Sequence, residues 1–254
     1  MSTRELHIFR AALTAHLDWF AERGKSARFW WRDDDAIEPS PALDRLLSIA
    51  NTYKVEVGLA VIPEPATEAL ADRLREEPYA KVLLHGWRHK NHQRKDLGEK
   101  AAEFGSRRNP AEAIDELRRG KARLEALFGE AFIPAFVPPW NRLSPEIARG
   151  AQAIGLKGIS SFTWFHAPDP HRLQTHIDMI KWKKGRRFIG WPAAAMRFDL
   201  QMTRRRNAPS EPIGILSHHL AMEDDSFRFL EETFAIAAAH PGAQWPPIRD
   251  LFAV

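Results

Sequence analysis

The chain has 254 residues, 44% of them apolar, a length and composition that suit one folded domain spanning 1–254 and exclude a disordered chain. It contains no Cys, which excludes disulfides and thiolate metal ligands and leaves His, Asp, Glu or backbone oxygen to hold any cation. The formal net charge is +4, concentrated at Lys181, Lys183, Lys184, Arg186 and Arg187 and at Arg204, Arg205 and Arg206; no nucleic-acid motif accompanies these runs, so they are read as solvated faces and no nucleic-acid partner is expected.

Leu6, Phe9, Leu13, Leu17 and Phe20 recur at helical spacing and predict an amphipathic opening helix. This segment carries charges and His and has no continuous apolar stretch, which argues against a signal peptide or membrane span and gives a cytoplasmic expectation. Residues 27–31 predict a short aromatic strand ending at Asp33, Asp34 and Asp35. Pro41 opens a helix with Ser40 as its cap, residues 55–62 predict a buried strand, and 66–75 a second helix. A third apolar run, 79–84, leads directly into His85. Residues 91–110 are polar and read as a long loop before a helix at 111–128. Strand 133–137 then runs into Pro138, Pro139, Trp140, Asn141 and Arg142, followed by a helix at 145–153. Further strands are expected at 157–162, 175–180 and 213–217, the last ending at His218 and His219, with helices at 191–204 and 225–239. Strands alternating with helices predict a mainly parallel sheet, closed or nearly closed into a barrel.

Reactive groups of β/α barrels sit at the C-terminal ends of the strands. Here four predicted strands end in RDDD, HGWRH, PPWNR and SHH. One such cluster could be a helix cap, but four at equivalent places point to a common site. Three adjacent carboxylates repel one another and call for a cation or a basic partner. His85 and His89 are four residues apart, a spacing that brings two imidazoles to one metal, and His92 is an alternative ligand, a supporting neighbour or a surface residue. Two His and a carboxylate leave a coordination position open for water, and Zn is the first expectation, with Co, Ni, Mn or Fe accepting the same ligands.

The motifs together resemble the NodB-type polysaccharide deacetylases, carbohydrate esterase family four, with their ordered signatures TFDDG, HSxxH or HTxxH, RxPxG and LxH. RDDDA at 32–36, HGWRH at 85–89, FVPPWN at 136–141 and ILSH at 215–218 stand in that order. The resemblance implies an irregular, incompletely closed (β/α) barrel. Three Asp offer two placements of the DD pair; the pair that precedes Ala36, at the family's Gly, places the catalytic base at Asp34 and a metal ligand at Asp35, with the other ligands at His85 and His89 and the catalytic acid at His218. The resemblance also implies one divalent metal ion and removal of N-acetyl or O-acetyl groups from a carbohydrate. The metal would polarise the acetyl carbonyl and activate a water, Asp34 would take the water's proton, and the Trp140 N–H, the first donor after two prolines, would face the oxyanion. His218 would protonate the leaving group.

Three positions depart from the family: Ala36 stands in place of Gly, Gly86 in place of Ser or Thr, and Val137 in place of Arg. That Arg normally pairs with the catalytic Asp. Arg32, two residues before Asp34 and on the same strand face, is one replacement, and Arg142 is another. Asp33 is assigned a structural or supporting role; Asp178 would orient His218 or pair on the surface, and His219 would orient, bind substrate or face away. Trp87, Trp140 and Trp164 are candidates for a stacking wall against a sugar ring, with Asn141 beside them. Two alternatives stand beside carbohydrate deacetylation: hydrolysis of a small non-sugar amide, and a non-catalytic binding module motivated by Val137. A homo-oligomer is left open.

Overall fold

The computed structural model describes residues 3–163, 172–183 and 185–252. Its strands are β1 (Ala27–Ala36), β2 (Val57–Val61), β3 (Ala80–Leu84), β4 (Phe132–Phe136), β5 (Gly158–Ile159), β6 (Ile177–Asp178), β7 (Ile180–Lys181), β8 (Arg187–Phe188), β9 (Ile213–Ser217) and β10 (Ala243–Gln244). The helices are α1 (Thr3–Ala21), α2 (Pro41–Tyr53), α3 (Glu68–Leu74), α4 (Pro110–Phe128), α5 (Pro145–Ala153), α6 (Trp191–Asn207), α7 (Asp224–Ala237) and α8 (Ile248–Leu251).

Seven strands form one parallel sheet in the order β5-β4-β3-β2-β1-β9-β6, and β10 pairs with the first residues of β1. The end strands β5 and β6 share no ladder, but parallel bridges Ile159–Arg172 and Phe162–Thr175 draw the chain ahead of β6 toward β5. The expected irregular, incompletely closed barrel results.

Alternation along β1 sorts its side chains between two cores. Phe29 and Trp31 belong to the large cluster formed with the surrounding helices, where Phe9, Phe198 and Phe229 of α1, α6 and α7 meet. Trp30 belongs to a second cluster inside the curved sheet, with Ala60, Leu83, Ile133, Val137, Ile248 and Phe252. Helix α8 therefore plugs the barrel at the N-terminal ends of the strands, tied there by Ile248 N–H donating to Glu56 Oε2 at 2.7 Å. A side chain at Gly158 would strike the Phe252 ring at 2.2 Å, so this plug requires glycine in β5.

Strand β1 runs through the Asp residues to Ala36 and does not stop at 31 as the sequence pattern suggested. Asp has low strand preference, but here the ladders of β2 and β9 hold the backbone on both sides. The stretch expected as one strand at 175–180 is divided between β6 and an antiparallel hairpin of β7 and β8. Strand β10 and helix α8 have no clear signal in the sequence. Ser40 caps α2 as expected, its Oγ accepting from Leu43 N–H at 3.1 Å. Among the described residues no helix is long and apolar enough to cross a membrane.

Candidate active site

The three consecutive aspartates go to different places because strand pleat and a bulge separate them. Asp33 faces outward with Trp31, where it accepts from Ser217 Oγ at 2.6 Å and from His219 N–H at 3.0 Å. His219 Nδ1 lies 2.5 Å from Asp33 Oδ1. Burial opposes protonation of His219, but the charge and hydrogen bond of Asp33 outweigh it and raise its pKa. Asp33 and His219 thus lock β1 to the end of β9, a supporting role for both.

Asp34 faces the barrel interior on the same side as Arg32. The fully buried guanidinium of Arg32 places Nε 2.8 Å from Asp34 Oδ1 and donates from Nη2 to Oδ2 at 2.9 Å. It also donates to Ser160 Oγ and to Asn141 Oδ1, each at 2.7 Å. Arg32 therefore gives Asp34 the cationic partner that Val137, whose side chain packs in the inner core, cannot. Arg142, the other candidate for that charge, instead donates to Ala101 O at 2.8 Å and lines the mouth of the pocket.

Asp35 would face away from Asp34 on a regular strand. The register of β1 against β2 shifts between Asp34 and Ala36, and Asp35 takes a φ of 78°. This bulge turns its carboxylate back to the pocket that Asp34 also lines. Asp35 Oδ1 lies 3.1 Å from His85 Nε2 and 3.4 Å from His89 Nε2. One ligand atom from each of the three residues falls within 4.8 Å of the other two. His85 Nδ1 is 2.9 Å from Val137 O and donates to it, so Nε2, which here hydrogen-bonds Asp35, is the nitrogen a metal would take. Burial pushes Asp35 up, but the hydrogen bond and charge of His85, with the charges of His218 and His89, hold it well below the usual carboxylate range. Burial and the neighbouring His85 push His89 down, favouring the neutral imidazole that a metal needs. The donor set fits one divalent cation.

The loop carrying the two His is held by Glu103, a residue that no sequence motif singled out. Its carboxylate is 1% exposed and accepts backbone N–H groups from Trp87 at 3.3 Å, Arg88 at 2.8 Å and His89 at 3.2 Å. Gly86 has a φ of 66°, and a Cβ there would sit 2.1 Å from Glu103 Oε2. The Ser or Thr of the family motif has no room in this arrangement; Glu103 holds the loop through its backbone. Two expectations are corrected here. Trp87 is a core residue with Arg119 over its ring and does not line the pocket, and His92 packs against Arg108, 2.8 Å from Nη1, outside the Asp35, His85 and His89 cluster.

The opposite wall begins at the tight turn after β4. Trp140 and Asn141 have φ of 56° and 57°, and the Trp140 ring stacks at a tilt on His89, with centroids 4.2 Å apart. Among the described residues six non-glycine positions have positive φ, and all but Lys54 line this one pocket. Such backbone is costly and concentrates where side chains must be aimed. The cavity has a volume of about 690 Å³ and is lined by Asp34, Asp35, His85, His89, Trp140 and His218, with Phe162, Asp178 and Trp182 farther out.

His218 Nε2 lies 3.9 Å from Asp34 Oδ2, and its buried Nδ1 has no hydrogen-bond partner. Asp178 does not bond His218 directly, contrary to expectation. It accepts from Ile180 N–H at 2.9 Å and from Trp182 Nε1 at 2.8 Å, and the Trp182 ring stands edge-on to His218 with centroids 4.5 Å apart. Asp178 therefore reaches His218 through Trp182 and by its charge, with no hydrogen bond between them. Burial pushes the Asp178 carboxyl up. Trp164, the third expected wall residue, lies outside the described residues.

No protein-family model and no curated protein matches the sequence. Solved structures do match. A protein from Mycobacterium smegmatis, whose own assignment as a polysaccharide deacetylase is provisional, superposes with a TM-score of 0.66 at 13% identity, over 91% of this chain and 90% of that one. A family 4 acetyl xylan esterase from Clostridium thermocellum, solved with a cobalt ion, gives a TM-score of 0.54 at 16% identity, covering 89% and 90% of the two chains. This chain has the fold of the family 4 carbohydrate esterases. A third family 4 structure is a Bacillus anthracis pseudoenzyme in a mutant form with restored activity, at a TM-score of 0.59 and 18% identity over 89% of this chain and 68% of that one. The family 4 fold thus occurs with and without activity, and the site residues must carry any functional argument.

Proposed function

We propose that this chain is a metal-dependent hydrolase that removes acetyl groups, most simply N-acetyl groups, from a carbohydrate. The observation that carries this reading is the convergence of two sets of groups on one cavity: a ligand trio and, beside it, an Asp and His pair. Asp35, His85 and His89 would hold the ion, Zn first and Co as in the Clostridium relative next. When bound, it would supply a Lewis acid for the acetyl carbonyl and lower the pKa of a water.

The rest falls to the chain's own groups. Asp34, fixed by Arg32, accepts the proton from the attacking water. Trp140 presents a backbone N–H with no backbone acceptor among the described residues, and that N–H faces the oxygen on which negative charge develops. His218 gives a proton to the departing amine, completing the exchange of a C–N bond for a C–O bond. Trp140 and Trp182 bracket the cavity with aromatic surface suited to a sugar ring. Arg32 also favours this reading over a binding module, since it gives Asp34 a cationic partner although position 137 has none.

Asp34→Asn tests the reading. Acetate release from N-acetylated oligosaccharides is expected to fall by about 10²–10⁴-fold with metal content unchanged. Full activity in this variant would remove Asp34 from the mechanism.

A further inference from the structure

The basic run at 181–187 is the one sequence feature that the hydrolytic reading leaves without a role. Its ends, Lys181 and Arg187, pair in the β7 and β8 hairpin, and Trp182 and Arg186 between those strands line the same cavity as Asp34 and His218. Lys181, Lys183, Arg186 and Arg187 are all exposed. None of the four has a carboxylate partner among the described residues, although the chain pairs most of its other surface Arg, including Arg10, Arg45, Arg73 and Arg107. Arg142 reaches the cavity from the turn after β4 and spends one guanidinium nitrogen on Ala101 O, with no acidic partner either.

The contrast with Arg204, Arg205 and Arg206 is informative. Arg205 is buried on Glu211 O and Gln201, and Arg206 lies over Trp19 and beside His16, so that second basic run is absorbed by the fold. The hairpin cations are not. Arg186 of that hairpin and Arg142 line the cavity, the other three cations lie on the same short hairpin, and clefts edged by one sign of charge concentrate ligands of the opposite sign. Inside the cavity the carboxylates are engaged: Asp34 with Arg32, Asp178 with Trp182 and Asp35 with the two His.

From this we infer that the substrate is an acylated sugar carrying an anionic substituent, a carboxylate or a phosphate, which Arg186 and Arg142 grip while Trp182 covers the ring. The inference rests on the carbohydrate reading above. Guanidinium groups favour these two anions because their paired N–H groups match two oxygens at once.

Binding is the direct test, followed by Trp fluorescence and calorimetry on the metal-loaded protein. The probes are N-acetylglucosamine, a phosphorylated N-acetylglucosamine, N-acetylmuramic acid and inorganic phosphate. At about 20 mM salt at least one anionic sugar should bind on the order of tenfold more tightly than the neutral one, with the margin shrinking at about 500 mM. Which anionic sugar wins distinguishes phosphate from carboxylate. In Arg142→Gln/Arg186→Gln the margin should vanish while binding of the neutral sugar stays as it was, which separates the rim from anion binding at the metal. Equal binding of neutral and anionic sugars, a margin that survives the double variant, or preference for inorganic phosphate over every sugar would each overturn the inference. Acetate release from neutral sugars without an anionic preference would leave the hydrolase reading intact and remove this one. Selective binding with no acetate release from any sugar would do the reverse.

Discussion

The two halves of the barrel are built differently. Strands β1 to β4 and β9 are five to ten residues long, paired in continuous parallel ladders apart from the bulges at Asp35 and between β3 and β4, and carry Asp34, Asp35, His85 and the turn of Trp140 at their ends. Across the cavity, β5 to β8 are two-residue strands joined by isolated bridges, and they present Phe162, Asp178, Trp182 and Arg186. The half that would hold an ion and move protons is thus rigid, while the half that would meet the rest of the substrate has little ladder to hold it. Groups that act within tenths of an ångström of a set geometry need a fixed frame, whereas recognition surfaces tolerate a looser one.

Breaking the rigid half should have the largest effect. Arg32→Met would leave the Asp34 carboxylate buried without its cation, at a cost of about 3–5 kcal/mol in urea unfolding together with loss of acetate release. Adding Val137→Arg to that variant returns a guanidinium from the end of β4, and part of both losses should be recovered. No recovery would mean that Arg32 does more than supply charge and position.

The seam between the halves gives a pH prediction. His176, beside β6, is fully buried, accepts from Gly214 N–H at 3.1 Å and lies 3.0 Å from Glu211 Oε1. Burial, against the pull of Glu211, pushes its pKa down to about 4. The unfolded His titrates near 6.5, so between about 6.5 and about 4 the unfolded chain binds a proton that the folded chain does not. This contribution to stability is therefore present above about 6.5 and is lost as pH falls, by up to about 3 kcal/mol. Urea midpoints measured across this range should fall less steeply in His176→Gln than in the parent. Parallel curves would show that His176 is not the group responsible.

A smaller effect should come from Glu103, which holds the His loop through backbone bonds alone. Glu103→Gln keeps the shape but exchanges one acceptor oxygen for a donor, and metal affinity is expected to weaken about 10–100-fold. Asp34, Arg32 and the overall fold are untouched by this change, so unchanged metal affinity would remove Glu103 from the positioning of His89.

Much of the rigid half was legible in the sequence because its signals are local. Apolar runs ending in RDDD, HGWRH, PPWNR and SHH place the side chains at strand ends, and alternation alone puts Arg32 on the face of Asp34. What escaped is non-local or conformational. The bulge at Asp35 depends on a register shift against β2, and Glu103 reaches the His loop from a polar stretch that looks like any surface loop. Trp87 carried the same aromatic signal as Trp140, yet one is core and the other wall, since the choice depends on how the backbone turns at Gly86 and Trp140. The loose half was the least legible: a two-residue strand leaves no periodicity to read, and β7 and β8 were visible only as a run of charge.

The central claim is that Asp35, His85 and His89 hold one divalent ion, and the metal content of the purified protein tests it most directly. Elemental analysis should find one bound transition metal ion per chain in the parent and in Asp34→Asn, and none in His85→Ala or His89→Ala while both remain folded by circular dichroism. Metal retained at full stoichiometry in both His variants would contradict the account.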